Sequence, residues 1–89
     1  MRWTLENESA RAHVIFDGID LYLEWIEVDD VARRKGQGHA LMREICLLAD
    51  KAGFNISLAL STSDDWLADF YRKHGFHIVL DRIMFRSAK

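Results

Sequence analysis

Read along the chain, apolar and polar positions first alternate in short runs and later recur at helical spacing. Trp3-Thr4-Leu5 and Ala12-His13-Val14-Ile15-Phe16 predict two short strands separated by the polar Asn7-Glu8-Ser9 turn. Asp17-Gly18 is a hairpin signal. Residues 21–28 then alternate as a third strand, with Leu21, Leu23 and Trp25 on one face and Tyr22, Glu24, Ile26 and Val28 on the other. After a glycine-bearing turn, Leu41, Ile45, Leu48 and Ala52 share a helical face, and Gly53 follows as the residue that ends it. Residues 56–60 read as a buried strand. A second helix spans about 64–74, with Trp66, Leu67, Phe70 and Tyr71 apolar and Gly75 closing it, and residues 77–85 form a last strand. The order is β-β-β-α-β-α-β, three antiparallel strands feeding an α/β half.

The chain has 89 residues, which predicts one domain with a thin core, folded rather than disordered because 49% of it is hydrophobic. One cysteine excludes an internal disulfide framework and suits a reducing compartment. No apolar run approaches membrane-spanning length and Met1-Arg2-Trp3 does not open a signal peptide, so a soluble cytoplasmic protein with no membrane partner is expected. Charge is unevenly placed. Residues 1–30 hold eight acids against two bases, and the remainder ten bases against six acids. That asymmetry suits an anionic ligand on one side and a cationic one on the other.

The anionic ligand has a candidate seat. Arg33-Arg34-Lys35-Gly36-Gln37-Gly38 lies between a strand-like and a helix-like run. Two glycines one residue apart let backbone approach a ligand closely, and a helix starting near His39 would point unpaired N–H groups into the turn. The stretch reads as a pyrophosphate cradle. It lacks the Lys-Ser/Thr of a nucleoside-triphosphate loop, and Leu41 occupies the place where a dinucleotide fingerprint needs a small residue. Nucleic-acid binding is disfavoured, because the cations cluster at one turn without interleaved aromatics and net charge is −2.

Val28-Asp29-Asp30-Val31-Ala32-Arg33-Arg34-Lys35-Gly36-Gln37-Gly38-His39-Ala40-Leu41 resembles the acyl-CoA-binding signature of the GCN5-related N-acetyltransferases, the GNAT family. Downstream, Asp64-x-x-Leu67-x-x-Phe70-Tyr71-x-x-x-Gly75-Phe76 is similar to that family's second signature, with Asp64 replacing its usual Asn and Leu67 its usual Ala. The resemblance covers about residues 20–80. It implies an α+β fold with a mixed, mostly antiparallel sheet and two helices. It also implies a minimal member, with no room for the first strand and the two helices that usually wall the acceptor.

The same resemblance implies the site. Amides of the 34–39 turn, Gly36, Gln37, Gly38 and His39 among them, hold the CoA pyrophosphate, with Arg33, Arg34 and Lys35 around it. The strand at Ile26 and Val28 pairs with the pantetheine arm, and Asp64 and Phe70 belong to the second cofactor-binding signature. Tyr71 holds the position that protonates the departing thiolate. Glu24, with Tyr22 on the same strand face, holds the position of the base that deprotonates the amine. No metal is expected: His13 is isolated, and His74 and His77 lack ligand spacing. Cys46, between Ile45 and Leu47 on a helix, reads as a packed core thiol. Trp66 either packs on the core or covers the cofactor.

These features lead to an acetyl-CoA-dependent N-acetyltransferase acting on a cationic amine, with a protein lysine favoured over a small amine because the acceptor wall is missing. Small phage proteins of this family that modify a host protein offer a biological setting. The alternative is a non-catalytic acyl-CoA-binding or protein-interaction module of the same fold. A homodimer could complete the missing wall.

Overall fold

A computed structural model describes residues 1–28, 37–60 and 65–89, apart from the side chains of Val28, Gln37, Asp65 and Trp66. The elements are β1 (Arg2–Glu6), β2 (Ala10–Phe16), β3 (Leu21–Val28), α1 (Gln37–Ala52), β4 (Ile56–Ala59), α2 (Asp65–Arg72), β5 (His77–Leu80) and β6 (Ile83–Arg86). Together the strands form one six-stranded sheet in the order β1-β2-β3-β4-β6-β5. Only β3 and β4 run parallel, joined across α1; every other neighbouring pair is antiparallel.

Local chemistry sets the turns. Asn7 Oδ1 accepts the Ser9 and Ala10 N–H groups at 3.0 and 2.9 Å and closes β1 onto β2. Asp17 Oδ1 does the same for Ile19 and Asp20 at 2.9 and 2.8 Å, beside Gly18 at φ 98°. Those backbone donors hold the Asp17 carboxyl below its usual range. Both helices end alike. Phe54 N–H returns to Ala49 O and Gly53 N–H to Asp50 O; Phe76 N–H returns to Tyr71 O and Gly75 N–H to Arg72 O. Gly53 and Gly75 supply the left-handed conformation this ending needs, at φ 78° and 92°.

The expected final strand is a hairpin. A two-residue turn, with Asp81 at φ 51°, separates β5 from β6 and pairs Leu80 with Ile83. Asp tolerates that conformation without a glycine, so residues 77–85 carry no strong punctuation.

The strand alternation in β3 is also corrected. His13 pairs with Trp25 but Val14 pairs with Leu23, leaving Glu24 as an extra residue, a β-bulge. Before the bulge Leu21 and Leu23 face the helices; after it Ile26, opposite Ala12, faces them instead. Trp25 therefore joins Tyr22 on the other face, where it stacks on His13 at 4.1 Å between ring centroids.

One face of the sheet carries the core. Ala12, Val14, Leu23, Ile56, Leu58 and Met84 are buried there under Leu41, Met42, Ile45, Cys46 and Ala49 of α1 and Phe70 and Tyr71 of α2. The buried stripe of α1 is thus rotated from the expected one. Leu48 is 48% exposed and Ala52 is exposed too, and both line an apolar groove with Trp3, Leu5 and Phe54. So many of α1's residues are apolar that two overlapping stripes satisfy helical spacing, and only the sheet selects between them. Among the described residues, no helix covers the opposite face, which presents Thr4, His13, Ile15, Tyr22, Ser57 and Phe85.

Candidate active site

The bulge opens the sheet from within. β3 pairs with β4 at only three positions, Leu21–Ile56, Tyr22–Ser57 and Leu23–Leu58, yet it continues to Val28. From Glu24 onward its other edge stays paired to β2, through Ile26–Ala12 and Val28–Ala10. On the β4 side the backbone groups of residues 24–28 have no strand partner among the described residues. Such an edge accepts an extended chain bearing amides, as an added strand would.

α1 starts at Gln37, within the glycine motif, and carries no acid in its first turn. Its leading amides and dipole therefore favour an anion. Gly38 is buried and His39 half-buried at this end. The His39 ring lies 4.5 Å from Phe70 of α2, and Phe70 meets Tyr71 edge-on at 5.3 Å. Tyr71, 5% exposed, is also 5.5 Å from Phe76. The structure thus gathers His39, Phe70 and Tyr71 on the helix side of the sheet.

Glu24 and Tyr22 stand on the other side. Arg2 lies on the open face, in register with Ile15 and Tyr22, and its guanidinium reaches Glu24 at 3.3 Å. Glu24 keeps a third of its side chain exposed. Arg33, Arg34, Lys35, Gly36 and Asp64 lie outside the described residues, as do the side chains of Val28, Gln37 and Trp66.

Three residues with no expected role form a chain of contacts from the far end of α1 to His39. Arg86, 4% exposed, forms a two-pronged ion pair with Asp50 at 2.9 Å on both oxygens, and its Nε donates to the His74 carbonyl at 2.8 Å. His74 Nε2 lies 2.8 Å from His39 Nδ1. Faint signals were present. Arg86 falls on the same strand face as Met84, where a charge needs a partner, and Asp50 sits near a helix C-terminus, where an acid is unfavourable unless a cation answers it. Cys46 is buried as expected, and burial pushes its thiol up, away from nucleophilic use.

Titration follows from these contacts. Burial, then the His39 charge and the cations Arg43, Arg86 and Lys73, lower His74 from 6.5 to about 4. His39 is lowered too, by burial, Lys73 and Arg43. Hydrogen bonds from Arg86 and from Lys89 N–H bring Asp50 from 3.8 to about 2. Between about 4 and 6.5 the unfolded chain binds a proton at His74 that the folded chain does not, so stability falls as pH drops through that window. A second fall is expected between 3.8 and about 2, where Asp50 is the group. Unfolding midpoints measured from pH 8 to 2 should show both stages, and His74→Phe should flatten the first. A profile unchanged by that substitution would refute the assignment.

Residues 3–78 match the family model described as an acetyltransferase (GNAT) domain. The chain is a GNAT-family acyltransferase. Among solved structures the GNAT chain is similar to the anti-CRISPR protein AcrVA5, at 22% identity and a TM-score of 0.81 over 97% of this chain and 98% of that one. It is similar to the ribosomal-protein-S18-alanine N-acetyltransferase from Escherichia coli, at 20% identity and a TM-score of 0.84, covering 99% of this chain and 70% of that one. It also matches the PaiA N-acetyltransferase from Thermoplasma acidophilum in complex with coenzyme A, at 19% identity and a TM-score of 0.79, covering 89% and 53%. No curated protein matches its sequence. The GNAT fold, with its mixed sheet and two helices, is as the two sequence signatures implied. Among the described residues, no group of three or more His, Cys, Asp or Glu could hold a metal, and no helix is long and apolar enough to cross a membrane.

Proposed function

We propose that the protein transfers acetyl from acetyl-CoA to a primary amine, a lysine on a protein surface, by direct attack in a ternary complex. The observation that carries this reading is the unpaired edge of β3 beyond Leu23, in a sheet that has Tyr71 on its helix side and Glu24 on its open side. A thioester threaded past that edge would present its leaving sulfur to one and its carbonyl to an amine arriving past the other.

In this reading the arm pairs with the free edge at Ile26 and Val28, and the pyrophosphate rests on the amides of Gly36, Gln37, Gly38 and His39 with Arg33, Arg34 and Lys35 around it. Asp64 and Phe70 complete the cofactor side. Glu24, assisted by Tyr22, takes the amine proton, directly or through water. The amine nitrogen then bonds to the carbonyl carbon, the C–S bond breaks, Tyr71 gives the sulfur its proton, and the nitrogen's remaining surplus proton returns to the Tyr71 oxygen as the amide forms. The sheet face that no helix covers among the described residues leaves room for a protein surface, and the acid-rich first third favours a cationic acceptor.

The Arg2–Glu24 ion pair favours a second reading, in which Glu24 is a structural partner and the domain binds acyl-CoA or a protein without catalysis. Glu24→Gln separates the two. The enzyme reading expects kcat to fall about 10²-fold with loss of the acid limb of the pH–rate profile. An unaltered profile would assign the carboxylate to the ion pair alone.

The setting proposed is a phage-type modifier of a host protein, acting as a single domain of residues 1–89 in the cytoplasm. Near-complete mutual coverage with an anti-CRISPR protein supports it. A homodimer is also proposed, supported by edge strand β5, all four of whose residues are exposed, Ile78, Val79 and Leu80 among them. Light scattering that finds only monomer would remove it. The central test is intact-mass spectrometry of candidate proteins and amines incubated with acetyl-CoA and the protein. Acetyl gain on a protein lysine is expected; gain only on small amines, or none, would overturn the acceptor.

A further inference from the structure

His74 closes α2 and is held from two directions. Its carbonyl, one of the acceptors a helix end leaves without a partner, takes the Arg86 Nε proton at 2.8 Å. Gly75 follows at φ 92°, a conformation that other residues rarely adopt, and it is this turn that presents the carbonyl to Arg86. The other two guanidinium nitrogens of Arg86 are spent on Asp50, so the end of α2 is fixed through β6 to the far end of α1.

The side chain is held separately, at the near end of α1. Two imidazole nitrogens 2.8 Å apart must share one proton, one ring donating and the other accepting. The contact therefore fixes the direction of both rings, which packing alone would not. His39 adjoins Gly38 of the glycine motif, and its ring lies against Phe70, which lies against Tyr71. A phenylalanine at position 74 would fill the same space and keep the ring contacts with Phe70 and His39, now 5.5 and 5.0 Å. What it would lose is the bond.

We propose that His74 is a positioning residue that transmits the seating of the coenzyme phosphates at the start of α1 to the orientation of Tyr71. The proposal rests on the reading of the glycine motif as the phosphate seat and of Tyr71 as the proton donor. It assigns His74 no contact with the reacting atoms.

The test follows the Tyr71 ring by NMR, which is tractable because the chain has two tyrosines. Coenzyme A is titrated into the wild type, His74→Phe and His74→Gln, with binding confirmed by calorimetry. Gln places an amide near the former Nε2 and can still pair with His39. The expected result is a Tyr71 ring shift on coenzyme binding in wild type and His74→Gln that is lost in His74→Phe, although coenzyme still binds. In steady state, His74→Phe should lower kcat about 10- to 100-fold, the cost of a misplaced reacting group, and His74→Gln should restore most of it. That kcat loss should vanish in a Tyr71→Phe background. A ring shift that persists in His74→Phe, or no shift in the wild type, overturns the proposal. If the shifts behave as expected but Tyr71→Phe turns over normally, the positioning role stands and the proton-donor reading falls.

Discussion

Tyr71→Phe is expected to lower kcat by about 10²-fold or more, the usual contribution of a positioned general acid, while the KM for acetyl-CoA stays within a few-fold. The substitution removes one oxygen from a side chain that is 5% exposed and packed against Phe70 and Phe76. The ring, and with it the packing, remains. Loss of an interaction made only as the sulfur departs appears in kcat and kcat/KM together, not in ground-state binding. Donors with a more acidic thiol, which leaves without help, should recover much of the rate. Steady-state kinetics with natural and activated thioesters checks both parts, and a wild-type kcat would dismiss Tyr71 from the chemistry.

The largest effect on stability is expected from Arg86→Met. It leaves the His74 carbonyl and the Asp50 carboxylate without the group that answers them. Removing one partner of a buried ion pair costs roughly 3–5 kcal/mol. Because Asp50 keeps 22% of its side chain in contact with solvent, water would repair part of the loss. An expectation of about 2–3 kcal/mol follows, a large share of the roughly 5–15 kcal/mol that holds a small domain together. In a chain of this size that lowers the melting temperature on the order of 10–20 °C. Arg86→Lys keeps a charge but loses the planar fork that serves three acceptors, so it should fall between the two. Calorimetric melting of the three proteins decides it. Equal melting temperatures would show that the cluster contributes nothing to stability.

Much of this was legible in the sequence, because it depended on local rules. Asp17-Gly18, Gly53 and Gly75 marked turns and helix ends through conformations few other residues adopt, and all three are at positive φ. The succession of elements as far as α2 could be read because periodicity and turn residues agreed, whereas residues 77–85 read as one strand where there are two. The parts that could not be read are those in which distant segments choose between locally equivalent states. Leu48 satisfied helical spacing as well as Met42 did, and the sheet settled which is buried. Trp25 satisfied alternation until β2 imposed a bulge. Asp50, His74 and Arg86 are separated by at least 12 residues and meet only in the folded chain, so their pairing left no local spacing to detect. The candidate site divides in the same way. Gly38, His39, Phe70 and Tyr71 were legible as motifs, whereas the bond between His39 and His74 was not.

The extra residue in β3 makes that strand sensitive to counting. Substituting Glu24 changes one side chain, but deleting it would restore unbroken parity between β2 and β3. Val14–Leu23 and His13–Trp25 would become consecutive pairs, Ile26 and Trp25 would keep the faces they have, and the bulge would vanish. The strand would also lose the bend that frees its edge. The length of the strand is therefore constrained here separately from its composition. Lineages of this chain should hold fixed the number of residues that separate Leu23 from Ile26, whatever else in β3 varies.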